Sequence, residues 1–166
     1  MRAEVCLLFS VLVLLIVVCC IDNATRFIMI KKMNLWLSGE SSSGFGSEKK
    51  NTKVIRKALP RIIRQYGVKT VLDCPCGDMN YMKHVLLGEN LGISYTGMDI
   101  VPELIRENRR QFPNLSFNVG DIESISSPYD LIVMKDLLQH LSTRKQLKIL
   151  NSIKKSKSRL LLLNNE

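Results

Sequence analysis

Histidine is scarce in this chain, and aromatic side chains are few. Two histidines stand among 166 residues, tryptophan occurs once, and aromatics make up 6% of the whole. With five cysteines that form no cluster with histidine, no zinc-type ligand set is spelled out. Cys6, Cys19 and Cys20 lie in an apolar run, where they act as small hydrophobes or acylation sites. Cys74 and Cys76 are separated by one residue, which is poor geometry for a bridge, so no disulfide framework is expected. Acidic residues are also outnumbered, 15 against 24 lysines and arginines, for a net charge of +9. That surplus can attract acidic partners at long range. From Lys49 to Lys69, however, the basic residues are spread along one helical pattern without interleaved aromatics. No nucleic-acid module emerges, and nucleic acid stays open only as a substrate. No G-x-G-x-x-G, Walker lysine loop, nucleophile–base pair or internal repeat is present either.

Hydrophobic residues make up 46% of the chain, enough for a core. Part of that fraction belongs to Val5–Ile21, a run with no charge that ends at Asp22. A spanning helix needs roughly 20 apolar residues, with about 17 near the lower limit. A cleaved secretory signal is the competitor, but its small-residue cleavage pattern is weak here. The expectation is an uncleaved, single-pass signal anchor over residues 1–33, with a secreted or lumenal product after cleavage as the alternative. Arg2 is offset by Glu4, whereas Arg26, Lys31 and Lys32 follow the run, so the flanking charges leave the sidedness open.

Residues 34–50 include SGESSSGFGS (38–47), a Gly/Ser-rich loop or tether. From Asn51 to Glu166 the pattern is that of one α/β domain. Val54, Ile55, Ala58, Leu59, Ile62 and Ile63 recur at helical spacing, with Pro60 expected to bend the helix. Apolar strands follow at 70–73, 94–100, 115–119, 131–134 and 159–163, alternating with helical stretches. Pro102 suits a first helical turn, Pro113 a stop, and Thr143 with Gln146 a capping box. Repeated β-then-α order implies a parallel Rossmann-like sheet with helices on both faces.

In such sheets ligands bind beyond the carboxyl ends of the strands, so strand-end residues carry the information. Asp73, Asp99, Asp121 and Asp136 each fall at or just after such an end. Singly, each reads as an ordinary exposed or capping aspartate; four in successive units say more. In VLDCPCGDMNYM, Gly77 permits a tight turn and close approach of a ligand, and Asp73 can orient that loop or meet a cationic group. In SYTGMDI, Asp99 can accept two hydrogen bonds from a ribose diol. In FNVGDI, Asp121 can accept from an adenine amino group while Ile122 packs on the base. In YDLIVMKDLLQHLS, Lys135 and Asp136 end the fourth strand, and His140 follows one helical turn later, either as a reacting group or as a packing residue.

These motifs, taken in order, resemble those of class I S-adenosylmethionine-dependent methyltransferases. The likeness is closest to a small group with PCGD in the first motif and a GESxSGxGS segment, here Gly39–Ser47, followed by Thr52 and Leu59-Pro60. It covers about residues 36–163. The resemblance implies S-adenosylmethionine as cofactor. It places Asp73, Cys76, Gly77, Asp78 and Lys135 on the methionine side, Asp99 and Ile100 at the ribose, and Asp121 and Ile122 at the adenine. Asp136 and His140 would be the catalytic candidates, and the Gly39–Ser47 loop would cover the site. Pro75 and Met79 stand where the generic motif has its first and third glycines. The family sheet has seven strands, so a chain ending after the fifth is expected to be a fragment or a shortened copy. Three functions remain: a membrane-anchored methyltransferase, a non-catalytic binding protein on the same fold, and a nicotinamide-dependent oxidoreductase. The methyl acceptor and the oligomeric state are not legible.

Overall fold

The computed structural model describes residues 22–33, 35 and 37–164. The apolar run expected to anchor the chain lies outside them. No helix among the described residues is long and apolar enough to cross a membrane. The chain divides into two units, Met1–Leu35 and Trp36–Glu166. In the first, α1 (Asn23–Lys32) starts at Asp22, whose carboxylate accepts from the Thr25 amide at 3.0 Å and the Thr25 hydroxyl at 2.6 Å. This is a side-chain N-cap for the otherwise unpaired first-turn amides. Lys31 and Lys32 at the far end suit the negative end of the helix dipole.

The second unit is a five-stranded parallel sheet in the order β3-β2-β1-β4-β5. Its strands are β1 (Thr70–Asp73), β2 (Ser94–Asp99), β3 (Ser116–Val119), β4 (Leu131–Lys135) and β5 (Leu160–Asn164). Its helices are α2 (Lys53–Gln65), α3 (Met82–Gly88), α4 (Pro102–Gln111) and α5 (Thr143–Ser156). All five expected strands are present, with ends displaced by a residue at most. β4, LIVMK, is buried at every position, as a central strand covered on both faces must be.

Side-chain alternation divides the core in two. Val71, Leu131 and Val133 face one way and meet Leu59 and Ile63 of α2, Met82 and Val85 of α3, and Ile105 of α4. Leu72, Ile132 and Met134 face the other way and meet Ile122, Leu138, and Ile149 and Ile153 of α5. α2 continues through the buried Pro60. The capping box expected at Thr143 does not form. Ser142 is the N-cap residue, without a side-chain bond, and Gln146 turns back to donate to the carbonyls of Leu138 and Leu141 at 2.9 and 3.0 Å. Those carbonyls, exposed by the preceding 3-10 turn Leu138–His140, compete successfully for the amide.

From β1 the chain steps outward through β2 to β3, then returns to lay β4 on the other side of β1. Strand order therefore reverses between β1 and β4, which is where a ligand crevice opens in this architecture.

Candidate active site at the switch point

Asp73 closes β1 and Lys135 closes β4, so the reversal brings both to the same end of the sheet. Asp73 has 0% exposure. One carboxylate oxygen accepts from the Tyr95 hydroxyl at 2.9 Å, and the other has no partner among the described residues. Burial pushes its pKa up to about 7, against the lowering effect of the Tyr95 bond and with nearby Asp99 adding to the rise. The Tyr81 hydroxyl is also buried and has no partner of hydrogen-bonding geometry among the described residues, though it lies close enough to Asp73 for each to perturb the other.

After β1 the chain turns through Gly77, whose φ of +54° is the left-handed conformation anticipated for it. Two contacts hold this turn. The Gly77 amide donates to Asp99 at 3.0 Å, and its carbonyl accepts from the Asn108 side chain of α4 at 2.8 Å. Asp99 also accepts from the Val101 amide at 3.0 Å. It is buried, and that burial raises its pKa despite the two amides. The acid ending β2 is thus fixed against the glycine turn after β1, with Ile100 half-buried beside it. Cys76 packs in the first core with its thiol 3.8 Å from the Gly77 carbonyl, and burial raises its thiol pKa well above the ordinary value. Cys74 is raised for the same first reason, which leaves both thiols protonated and poor nucleophiles.

Across the switch point, Lys135 is 5% exposed and its ammonium is paired with the Asp136 carboxylate. Asp136 adopts a φ of +52° and its amide donates to the Asn164 carbonyl at 2.9 Å, so the end of β5 helps hold this residue. The other Asp136 oxygen is buried without a partner among the described residues. His140 lies at the end of the following 3-10 turn and is exposed.

The third unit lies at the end of β3. Asp121 caps the 3-10 turn Ile122–Ser124 by accepting from the Glu123 amide at 3.1 Å, and it pairs with Lys145 of α5 at 2.8 Å. Ile122 is within the second core. Asp73, Asp99, Gly77, Lys135 and Asp136 thus share the switch point, while Asp121 and Ile122 join β3 to α5.

Asp78 faces a different partner. Its carboxylate accepts from the Ser41 hydroxyl at 3.0 Å and from the Ser42 amide at 2.7 Å, and its own amide donates to the Ser43 hydroxyl at 2.9 Å. The Gly/Ser segment therefore lies directly on the turn. Sequence reasoning did not identify Tyr95, Asn108 or Asn80. Each is a buried side chain with a polar group, and no local pattern marks it.

The parallel sheet with its reversal between β1 and β4 defines a Rossmann-like α/β architecture. The profile of the methyltransferase-domain family matches residues 71–156, just over half of the chain, and the chain belongs to that family. No curated protein matches it in sequence. Among solved structures, a protein of Pyrococcus horikoshii superposes with a TM-score of 0.61 at 16% identity, over 81% of this chain and 62% of that one. Magnesium protoporphyrin IX methyltransferase from Synechocystis, solved with bound S-adenosylmethionine, gives 0.57 at 13% identity, over 86% and 76%. A Bordetella parapertussis protein gives 0.51 at 15% identity, over 64% and 39%. The chain thus spans 39% and 62% of the length of two of these three proteins.

Proposed function

We propose that this chain binds S-adenosylmethionine at the carboxyl ends of β1 and β2 and directs methyl transfer to an acceptor presented near Lys135 and Asp136. The observation that carries the reading is Asp99, held by the Gly77 amide at 3.0 Å so that the acid ending β2 and the turn after β1 act as one unit. Asp99 would hold the ribose diol. The partnerless oxygen of Asp73 suits a cationic ligand group, because an ammonium there offsets the burial of that carboxylate. When bound, the cofactor supplies an electrophilic methyl carbon on a sulfonium. The protein then has only to align the acceptor, exclude water and take up a proton where one is lost. Asp136, with an unpartnered oxygen, is the group for that proton, and His140 is its second candidate. Asp121 with Ile122 would take the adenine, provided the Lys145 pair loosens. Val5–Ile21 would tether the protein to a membrane as a signal anchor.

Calorimetric titration of the full-length protein in mild detergent tests this. S-adenosylmethionine should bind, NAD should not, and Asp99→Ala should abolish the heat while leaving the fold intact by circular dichroism. A folded wild-type protein that binds neither ligand would remove the enzyme reading and favour a non-catalytic protein on the same scaffold.

A further inference from the structure

The Ser38–Glu48 segment is built as a closed loop. At its base the Ser38 hydroxyl donates to the Glu48 carboxylate at 2.9 Å and accepts from the Ser41 amide at 3.1 Å, both in buried surroundings. Gly44 has a φ of +90°, which a glycine adopts without strain. A loop whose ends are clasped together in this way is a compact unit, of the kind that moves as one body.

Its outer part touches both halves of the switch point. On the β1 side, Ser41 and Ser42 donate to the Asp78 carboxylate, and Ser43 lies so close to Gly77 that a Cβ there would come within 2.3 Å of the Ser43 hydroxyl. Asn80 adds bonds to Glu40 at 2.7 Å and to the Ser47 carbonyl at 2.9 Å. On the β4 side, a Cβ at Gly46 would meet the Asp136 carboxylate at 2.3 Å and the Lys135 ammonium at 3.2 Å. The loop therefore spans from the glycine turn to the Lys135–Asp136 pair. Ligand entering between them must displace it, and once closed it keeps water off the reacting centre.

We propose that this loop is the gate of the site and that Asp78 is its latch, a positioning residue acting through Ser41 and Ser42 rather than by touching the cofactor. Three properties support the assignment. Among the described residues the Asp78 carboxylate accepts from the loop and from the Asn80 amide two residues on. Its bonds to the loop are charge-assisted, the stronger class. The approaches at Gly46 and Gly77, each within 2.3 Å of a side-chain oxygen for an added Cβ, define the closed position at both ends. The inference rests on the cofactor reading above, but the latch has a readout of its own.

The test uses the full-length protein in mild detergent with Asp78→Ala, and with Gly46→Ala as a second variant that lifts the loop from the other end without altering the latch. Hydrogen exchange of the 38–48 amides should accelerate in both variants by about tenfold or more, the factor carried by one charge-assisted hydrogen bond. S-adenosylmethionine dissociation should accelerate similarly, with association unchanged or faster. A purely structural role for Asp78 would instead lower thermal stability and slow association. Asp78→Asn, which keeps one acceptor oxygen, should fall between wild type and alanine. Unchanged exchange in Asp78→Ala overturns the latch. Wild-type protein that shows no binding heat removes the cofactor reading alone, because the exchange of the loop is measured without ligand.

Discussion

Replacing Asp73 with asparagine converts the buried carboxyl at the switch point into a permanently neutral group of nearly the same shape. Burial holds the native carboxyl at about 7, against 3.8 for the free group. Between those values the folded protein keeps a proton that the unfolded chain has already released. The unfolded state then binds fewer protons, so stability falls as pH rises across this window and levels off above it. A shift of about three units corresponds to about 4 kcal/mol at 1.36 kcal/mol per unit. With full burial of the side chain, no solvent screening reduces that figure. Other groups titrate in the same range. Asp99 is raised as well, and His84 is lowered by its own desolvation, which has the opposite slope with pH. The informative quantity is therefore the difference between wild type and Asp73→Asn. Urea unfolding followed by circular dichroism at pH 4.5, 6 and 8 supplies it. Wild type should lose about 3 kcal/mol more than the variant from the lowest to the highest pH, the rest of the effect lying below pH 4.5. Parallel curves for the two proteins would refute the claim that Asp73 is protonated in the folded state near neutrality.

Two further outcomes follow from the same neighbourhood. Tyr95→Phe removes the hydroxyl that bonds Asp73 at 2.9 Å and should raise the Asp73 pKa further, seen as a protonated-carboxyl infrared band persisting to higher pH than in wild type. Gly97→Ala places a Cβ within 2.7 Å of the Phe117 ring and 3.1 Å of the Cys76 sulfur, and overpacking of that kind should cost about 1–3 kcal/mol in chemical denaturation.

The strands were readable because each is a short apolar run bounded by turn residues, and β4 is apolar at four of its five positions. Pro102 at the start of α4 and the left-handed Gly77 were readable because local backbone chemistry decides them. The contacts that shape the site join distant parts of the chain. Ser41 meets Asp78 across 37 residues and Asn108 meets Gly77 across 31. No periodicity encodes such pairs. The same limit explains Gln146, which a local rule assigned to Thr143 but which the preceding turn claimed. Met79 is instructive in the other direction. It holds a φ of +61° where the generic motif has glycine, and it is fully buried in the first core. Its side-chain burial offsets backbone strain that glycine would avoid.

The charges at the switch point favour one kind of nucleotide ligand over another. Three carboxylates, Asp73, Asp99 and Asp136, converge there on a single lysine, and that lysine is committed to Asp136. Burial raises both Asp73 and Asp99, so the fold holds them where their charged forms are disfavoured. A ligand bringing positive charge relieves that cost by stabilising the carboxylates, whereas a pyrophosphate adds repulsion. S-adenosylmethionine carries a sulfonium and an ammonium and has no phosphate; a nicotinamide dinucleotide has the reverse balance. The β1 turn agrees, because its Gly77 amide is already bonded to Asp99 instead of being left free for a phosphate oxygen. The net charge of +9 over the whole chain would suggest an anionic ligand, but the field that acts on a ligand is the local one. At the carboxyl ends of β1, β2 and β4 three carboxyls face one lysine, so that field turns negative as Asp73 and Asp99 ionise.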